Sequence, residues 1–215
     1  AHNVQSFPNL KSLLHSSDAV SIVTPTHSHY KIADHALDAN CHVFIEKPIT
    51  DNLNDAGDLL KKADKGNKII QVGHIERFNP AFLALEKKTI TPHFIETHRL
   101  APFNPRGNDV PVILDLMIHD LDIILSLVDS KIQDIDANGV KVASQTVDIA
   151  NARLKFENGC VANLTASRIS QKEMRKMRLF QKNNYVTIDF QTGILEDYKV
   201  CKDKPNNSVI EKVIE

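Results

Sequence analysis

The fold is decided by residues 19–48, whose sequence is AVSIVTPTHSHYKIADHALDANCHVFIEKP. Residues 19–23 are an apolar run rich in β-branched side chains, which predicts a buried strand. Apolar side chains recur at helical spacing through residues 29–39, and residues 42–45 form a second apolar run that stops at Glu46. A strand, a helix and a second strand in this order make a βαβ unit, which indicates a parallel sheet.

The same alternation continues on both sides of this unit. Residues 51–65 predict a second helix and residues 68–72 a third strand. Upstream, residues 4–7 predict a short strand and residues 8–14 a helix that starts at a proline. Ligands of parallel sheets bind beyond the carboxyl ends of the strands, so the polar residues that follow each strand are candidates for a site.

After about residue 90 the pattern changes to long strands joined by hairpin turns. Residues 114–128 predict a strongly apolar helix, and the chain is mostly strand from residue 132 onward. Individual strands are predicted at residues 94–100, 149–156, 160–168, 176–180, 185–189 and 194–200. Residues 202–215 are expected to be loosely ordered at their start. The predicted fold class is therefore α/β, a parallel βαβ domain followed by an α+β domain with an open, mostly antiparallel sheet.

Composition and charge are those of an ordinary globular protein. The 215 residues include 26 Lys and Arg against 27 Asp and Glu, a net charge of −1, which argues against binding nucleic acid or anionic membranes through bulk charge. The longest apolar run, residues 81–85, is far too short to span a membrane, and without an apolar leader no secretion is expected. Cys41, Cys160 and Cys201 lie far apart, which excludes a disulfide scaffold and a Cys-rich zinc site and indicates reduced thiols in the cytoplasm.

Asp115, His119 and Asp122 form one polar stripe on the predicted apolar helix. At 100° per residue, His119 lies about 40° to one side of Asp115 and Asp122 about 20° to the other. Buried ionisable groups are costly unless they are paired or have a function, so the stripe is a candidate for catalytic chemistry. A capping Asp beside a hydrogen-bonded core histidine is an equally open interpretation.

Two short polar motifs follow predicted strands, Glu46-Lys47-Pro48 and the RFNP of residues 77–80. Proline favours an extended backbone at Lys47, whose side chain then projects from the rim of the sheet and could polarise a carbonyl or exchange a proton. Exposed Glu-Lys pairs are more often solvated surface. Residues 77–80 are equally consistent with a simple helix start that Asn79 caps.

Residues 24–29, TPTHSH, form a strand-to-helix turn rich in hydroxyl groups. The N-terminus of the helix could meet an anion or a ribose hydroxyl. Ordinary N-capping by Thr26 or Ser28 is the alternative. Because no carboxylate or Cys completes a recognisable spacing with His27 and His29, no metal site is predicted.

No glycine-rich phosphate cradle is present in the sequence. Its seven glycines are too far apart for the GxGxxG turn of dinucleotide-binding folds, and P-loop, GxSxG and HExxH motifs are absent as well. The turn that normally holds the pyrophosphate of a dinucleotide is therefore missing from these residues.

In this order and spacing, the motifs resemble those of the Gfo/Idh/MocA family of NAD(P)-dependent oxidoreductases. The resemblance rests on residues 18–26, His29, residues 36–37, 42–48, 71–74 and 77–80, and the pair Asp115 and His119. Residues 73–81 and 115–120 further resemble the UDP-N-acetylglucosamine 3-dehydrogenase branch of that family.

The resemblance implies hydride transfer between a sugar or sugar-nucleotide CH–OH group and NAD or NADP. It implies a partial dinucleotide-binding (Rossmann) domain at residues 1–90 and a substrate-binding domain at residues 91–215, with homo-oligomers formed through the open sheet of the latter. Carried over by position, the catalytic residues are Lys47, Asp115 and His119. The implied cofactor-binding residues are Thr24, Pro25, Thr26, His29, Glu46, Lys47, Pro48, Arg77 and Asn79. Glu46 would hold ribose hydroxyls, and Arg77 or Asn79 would border the nicotinamide or the substrate.

The departure from the family is at the start of the chain, where its opening strand, glycine-rich turn, helix and second strand are absent. We therefore expect a fragment that is inactive on its own. The choice between NAD and NADP stays open, because the residue that selects between them follows the missing second strand. A non-catalytic binding or assembly module on this fold and a related reductase with a non-sugar substrate are the alternative functions.

Overall fold

The computed structural model describes residues 4–104, 110–201 and 209–214. The chain divides into two compact units, Ala1–His74 and Ile75–Glu215. The division falls between residues 74 and 75, whereas the sequence suggested a boundary near residue 90, because helix Pro80–Glu86 packs into the core of the second unit. No helix in the described residues is long and apolar enough to cross a membrane.

The first unit is a parallel sheet with helices between its strands. Its elements are α1 (Leu10–His15), β1 (Ala19–Ile22), a 3-10 turn (Thr26–Ser28), α2 (His29–Asp38), β2 (His42–Glu46), α3 (Leu53–Gly66) and β3 (Ile70–Gly73). The strands lie in the order β1-β2-β3 and all run parallel, which confirms the predicted βαβ arrangement.

Residues 4–7 are not a strand, so that prediction was wrong. The segment has two apolar side chains at its ends, and Val4 is 78% exposed, so no buried face holds it against a neighbouring strand. The helix boundaries follow from local capping. Asn52 caps α3, its side-chain oxygen accepting the N–H of Asp55 at 2.9 Å, and the left-handed Asn67 ends the helix.

The core of the first unit lies between the sheet and its helices. Side chains on one face of the strands pack against α2 and α3; the buried set includes Ile22, Ala33, Ala36, Val43, Ile45 and Leu59. The central strand therefore holds its two flanking loops in a fixed register, which matters because those loops carry the candidate site residues.

The second unit is built on an eight-stranded mixed sheet. Its helical elements are a 3-10 turn (Ile75–Phe78), α4 (Pro80–Glu86), a π-helical turn (Ile113–Met117) and α5 (Ile118–Leu127). Its strands are β4 (Phe94–Leu100), β5 (Ile132–Val140), β6 (Ile149–Phe156), β7 (Val161–Ser167), β8 (Met174–Gln181), β9 (Asn184–Asp189), β10 (Ile194–Cys201) and β11 (Val209–Ile214).

The strand order is β11-β10-β9-β8-β4-β7-β6-β5, in which β4 and β7 are parallel and every other neighbouring pair is antiparallel. This confirms the open, mostly antiparallel sheet. Strand β11 was not predicted; it pairs antiparallel with β10. Residues 202–208, where loose order was expected, lie outside the described residues.

The two faces of the large sheet differ in burial. One face packs against α4 and α5 and forms the core of the unit. The other, which we call the open face, carries a cross-strand row of aromatic rings, Phe94, Phe180, Tyr185 and Tyr198, with neighbouring centroids 5.8, 5.5 and 4.3 Å apart. Charged and polar side chains, among them Glu96, His98, Lys176 and Arg178, lie on the same face.

Candidate active site

The strand ends of the first unit gather several of the predicted site residues at one edge of the sheet. In the parallel register Ile22 pairs with Ile45 and Glu46 with Gly73, so the three strands end at the same level. Thr24 and Pro25 are exposed in the loop that follows β1, and Thr26 begins the 3-10 turn. Glu46 ends β2, and the half-buried Lys47 and the buried Pro48 follow it directly.

Glu46 lies against the last residue of the neighbouring strand. A Cβ atom at Gly73 would come within 3.1 Å of the Glu46 Oε2 atom, closer than side chains normally pack. The missing side chain at residue 73 therefore leaves room for the carboxylate, which is half-buried at the carboxyl edge of the sheet.

His29 is buried, with 1% of its surface exposed, and connects two of these loops. Its ring nitrogens lie 2.8 Å from the carbonyl oxygen of Thr24 and 2.9 Å from that of Pro48. Next to it, the Ser28 hydroxyl donates to Thr24 Oγ1 at 2.9 Å rather than capping α2. The ring of His29 thus holds the loop after β1 against the loop after β2.

Asp115 and His119 lie on the helical segment of the second unit, and both are half-buried. The segment begins as a π-helical turn, in which the N–H of Ile118 donates to the carbonyl of Ile113, and becomes α-helical only from residue 118. The predicted 40° between Asp115 and His119 assumed an α-helix throughout, so that angle does not apply. Single π turns inside helices are frequent at functional sites.

Asp122 is held by Arg77. The guanidinium donates from Nε to Oδ2 and from Nη2 to Oδ1, both at 2.7 Å, which is the bidentate geometry of a strong charge-assisted pair. This bonding raises the pKa of Arg77. Half of the Arg77 side chain is exposed, whereas Asp122 is largely buried.

Asn79 has the structural role that the sequence left open. Its side-chain oxygen accepts the N–H of Ala81 at 3.1 Å and caps α4, with Pro80 in the first turn. Its amide nitrogen donates to the carbonyl of Phe190 at 2.9 Å. The residue therefore fixes the motif of residues 77–80 to the end of β9.

The sequence analysis did not single out three charged residues, Glu76, Arg99 and Asp120. Glu76 directly precedes the motif of residues 77–80. Arg99 donates to Asp120 Oδ1 from Nη2 at 2.8 Å and to Glu76 Oε1 from Nη1 at 2.8 Å, and its guanidinium lies 5.5 Å from the ring centroid of Phe190. Burial raises the pKa of Asp120 although Arg99 opposes that shift. A signal was present in the sequence, because Arg99 shares the inward-facing positions of β4 with Ile95 and Thr97.

A second buried pair supports the start of the π-helical turn. Asp148 accepts the N–H groups of Val142, Ala143 and Ser144 at 2.7–2.9 Å, and these bonds, with that of the Ser144 hydroxyl, hold its pKa well below the usual range. Arg168 donates to Asp148 at 3.0 Å and, from Nη1, to the Val110 carbonyl at 2.8 Å, close to where the turn begins.

Two family models match the chain. Residues 1–74 match the oxidoreductase family model with an NAD-binding Rossmann fold, and residues 96–196 match the GFO/IDH/MocA C-terminal domain. The first match covers the parallel sheet, and the second covers the larger sheet from β4 to the start of β10.

Known proteins resemble the chain over most of its length. A UDP-N-acetylglucosamine 3-dehydrogenase of Acidithiobacillus ferrooxidans is 41% identical over 195 residues, which cover 90% of this chain and 62% of that protein. A myo-inositol 2-dehydrogenase of Thermotoga maritima is 28% identical over 166 residues, 70% of this chain and 50% of that protein. The chain thus spans between half and two thirds of the length of these relatives.

A solved structure gives the same result. The UDP-N-acetylglucosamine 3-dehydrogenase from Acidithiobacillus ferrooxidans matches with a TM-score of 0.90 and 38% identity, covering 98% of this chain and 68% of that one. With matching models for both of its parts and a relative this similar in sequence and fold, the chain belongs to the Gfo/Idh/MocA family of oxidoreductases.

Proposed function

We propose that the whole protein is an NAD(P)-dependent dehydrogenase that oxidises a CH–OH group of a sugar nucleotide, with UDP-N-acetylglucosamine as its substrate. The observation that carries this proposal is the 41% identity over 90% of the chain to a UDP-N-acetylglucosamine 3-dehydrogenase, since it extends over both units. The myo-inositol relative supports the wider class of polyhydroxylated ring substrates.

The carboxyl edge of the first unit fits the ribose end of a dinucleotide. Glu46 presents a half-buried carboxylate there, and the missing side chain at Gly73 keeps that position open. A carboxylate accepts hydrogen bonds from ribose hydroxyls, as in other dinucleotide-binding sheets. Thr24, Pro25 and Thr26 line the neighbouring loop, and we assign them to the same ligand.

The residues proposed for proton chemistry are Lys47, Asp115 and His119. Oxidation of an alcohol to a ketone removes a hydride from carbon and a proton from the hydroxyl, and the bound nicotinamide supplies the hydride acceptor. We assign the proton to His119 as general base, with Asp115 supporting the base, and we name Lys47 as a second residue suited to proton exchange. A positioned general base contributes roughly 10²–10⁴-fold to the rate.

Arg77 is the residue we assign to the substrate. Its side chain is 49% exposed, and Asp122 uses two of the five N–H donors of a guanidinium, so others can meet an anionic group such as a diphosphate. Asn79 already uses its amide oxygen and nitrogen on the backbone of its own unit, and its contribution to such a site is to fix Arg77.

The open face of the eight-stranded sheet is the surface we propose for homo-oligomerisation. Its row of aromatic rings is half-buried in the single chain, and apolar surface of this kind is favourably covered by a second copy.

The buried free thiols of Cys41 and Cys160 agree with a reducing compartment, so we assign the protein to the cytoplasm.

The test is a substrate and cofactor panel, carried out on the longest form of the protein that its gene encodes. UDP-N-acetylglucosamine, free N-acetylglucosamine and myo-inositol are each offered with NAD⁺ and with NADP⁺, and reduced nicotinamide and the keto product are measured. We expect turnover with UDP-N-acetylglucosamine. Turnover only with myo-inositol would move the assignment to polyol oxidation, and no turnover with any alcohol would contradict the proposal.

A further inference from the structure

Glu76, Arg99 and Asp120 form a buried ion cluster beside the apolar core of the second unit. The side chains of Arg99 and Asp120 are each 3% exposed, and that of Glu76 is 12% exposed. Placing such charges in a core costs free energy, and hydrophobic residues of similar volume are often at least as stable. The cluster therefore indicates a role beyond stability.

The cluster connects three segments that are distant in sequence. Glu76 lies in the 3-10 turn Ile75–Phe78, Arg99 lies in β4 and Asp120 lies in the first turn of α5. One planar guanidinium reaches both carboxylates, since Nε and Nη2 donate to Asp120 while Nη1 donates to Glu76. A lysine carries the same charge but cannot reproduce this fork.

A second ion pair holds the same helix turn from another direction. Asp122, two residues after Asp120, is the bidentate partner of Arg77. At 100° per residue, Asp120 and Asp122 point about 160° apart on α5, and His119 lies within that arc. Two ion pairs on nearly opposite sides of a helix oppose its rotation about the axis, and that rotation would turn the His119 ring.

We propose that Arg99 is a positioning residue, which fixes the direction of the His119 ring by holding Asp120 while Arg77 holds Asp122. This inference rests on the proposed role of His119 as general base. Arg99 does not act on the substrate; its contacts are Glu76, Asp120 and the ring of Phe190. The arrangement explains why a buried charge occupies a strand position next to apolar neighbours.

The kinetic test uses Asp120→Asn and Arg99→Lys in the full-length protein. We expect turnover of UDP-N-acetylglucosamine to fall by at least about tenfold, with the KM for NAD⁺ within about twofold, because misplacement of a catalytic group affects the chemical step. The matched control is Asp197→Asn, which weakens another buried ion pair, to Lys88, away from α5. Its turnover should stay within about twofold of the unmodified protein.

A spectroscopic readout separates this inference from the proposed function. The His119 ring resonance, assigned by its loss in His119→Gln, should shift in Asp120→Asn and Arg99→Lys and stay in place in Asp197→Asn. If the unmodified protein oxidises no alcohol, the proposed function fails, while the resonances still report on the position of the ring. An unchanged resonance, or full turnover in both variants, would overturn the inference.

Arg77→Lys provides a variant that keeps the fold in case the buried substitutions unfold the protein. Arg77 is half-exposed, so its replacement leaves no buried cavity. Loss of the bidentate pair to Asp122 removes one of the two ion pairs that hold α5, while the pair between Arg99 and Asp120 remains. The His119 resonance should therefore shift by less than in Asp120→Asn. An Arg77→Lys spectrum identical to that of the unmodified protein would contradict the two-sided support.

Discussion

The two units of the chain place their candidate residues in different ways. In the first unit, Thr24, Glu46 and Lys47 lie at or just after the ends of neighbouring parallel strands, so chain direction alone brings them to one edge. In the second unit, His119 lies on a helix whose orientation depends on ion pairs with residues far away in sequence, Arg77 and Arg99.

This difference separates two kinds of site construction. Strand-end residues are positioned by backbone hydrogen bonds, and most substitutions among their neighbours leave that framework in place. A helix supported by buried charges depends on each partner, because removal of one leaves the other desolvated and uncompensated. The first unit should therefore tolerate changes near its site better than the second.

The largest effect is expected when the central cation of the second unit is removed. Arg99→Met leaves Glu76 and Asp120 buried without their cation, and we expect a loss of about 3–5 kcal/mol in the free energy of unfolding. Urea unfolding of the 215-residue chain measures this loss. Arg153→Met, which removes an exposed arginine bonded to Asn163, is the matched control and should change stability by no more than about 0.5 kcal/mol.

The pH dependence of this variant has a defined sign. Burial holds the pKa of Asp120 above its ordinary value in the folded state, so the folded chain binds a proton there that the unfolded chain does not. Stability contributed by this group therefore increases as the pH falls through the raised pKa. Without Arg99, this gain in the free energy of unfolding at lower pH should be larger. If the stability of Arg99→Met does not partly recover at mildly acidic pH, its loss is not due to the uncompensated charge of Asp120.

The next effect compares the residues proposed for proton chemistry in each unit. Lys47→Ala and His119→Ala should each lower turnover by roughly 10²-fold or more in the full-length protein, with a smaller change in cofactor affinity. The control is Lys61→Met, at an exposed position of α3. Normal turnover in His119→Ala would return this residue to the role of a core histidine.

The fold could be predicted from the sequence where it depends on local signals. The apolar runs at residues 19–23 and 42–45, separated by a helix, specified the parallel sheet. The strands predicted at residues 149–156 and 160–168 correspond to β6 and β7, which pair antiparallel. The parallel pairing of β4 with β7 could not be foreseen, because the two strands are far apart along the chain. Strand β11 pairs with the strand that directly precedes it, and the sequence did not single it out.

The candidate site shows the same limit. Motif spacing pointed to Glu46 and Lys47, which the structure places at the sheet edge. The alternation of β4 indicates that Arg99 faces inward, but no window of sequence identifies its partners Glu76 and Asp120. The π-helical turn at residues 113–117 is a further example, since an apolar pattern of helical period gives no indication that one turn is wider.

A third prediction concerns cofactor binding by the first unit without a glycine-rich turn. The pyrophosphate of a dinucleotide normally rests on the N–H groups of that turn, and the loss of several charge-assisted hydrogen bonds at roughly 1.5–3 kcal/mol each should weaken binding at least 10²-fold. Calorimetric titration of the 215-residue chain with NAD⁺ and NADP⁺ measures this against a full-length form. Micromolar binding by the 215-residue chain would show that its phosphate site is built in another way.

The smallest expected effect tests whether strand ends tolerate change as the comparison suggests. In Gly73→Ala the new Cβ would lie 3.1 Å from Glu46 Oε2, so the carboxylate must shift by a few tenths of an ångström while the strands stay paired. We expect the KM for NAD⁺ to rise by roughly tenfold or less, the equivalent of one weakened hydrogen bond, with turnover nearly unchanged. Gly57→Ala is the matched control, because no atom lies within 4 Å of its new Cβ on α3, and it should leave the KM unchanged while stabilising the helix by up to about 1 kcal/mol. A collapse of turnover in Gly73→Ala would show instead that the edge of the small sheet is as dependent on single contacts as the helix of the second unit, and the contrast between the two units would then fail.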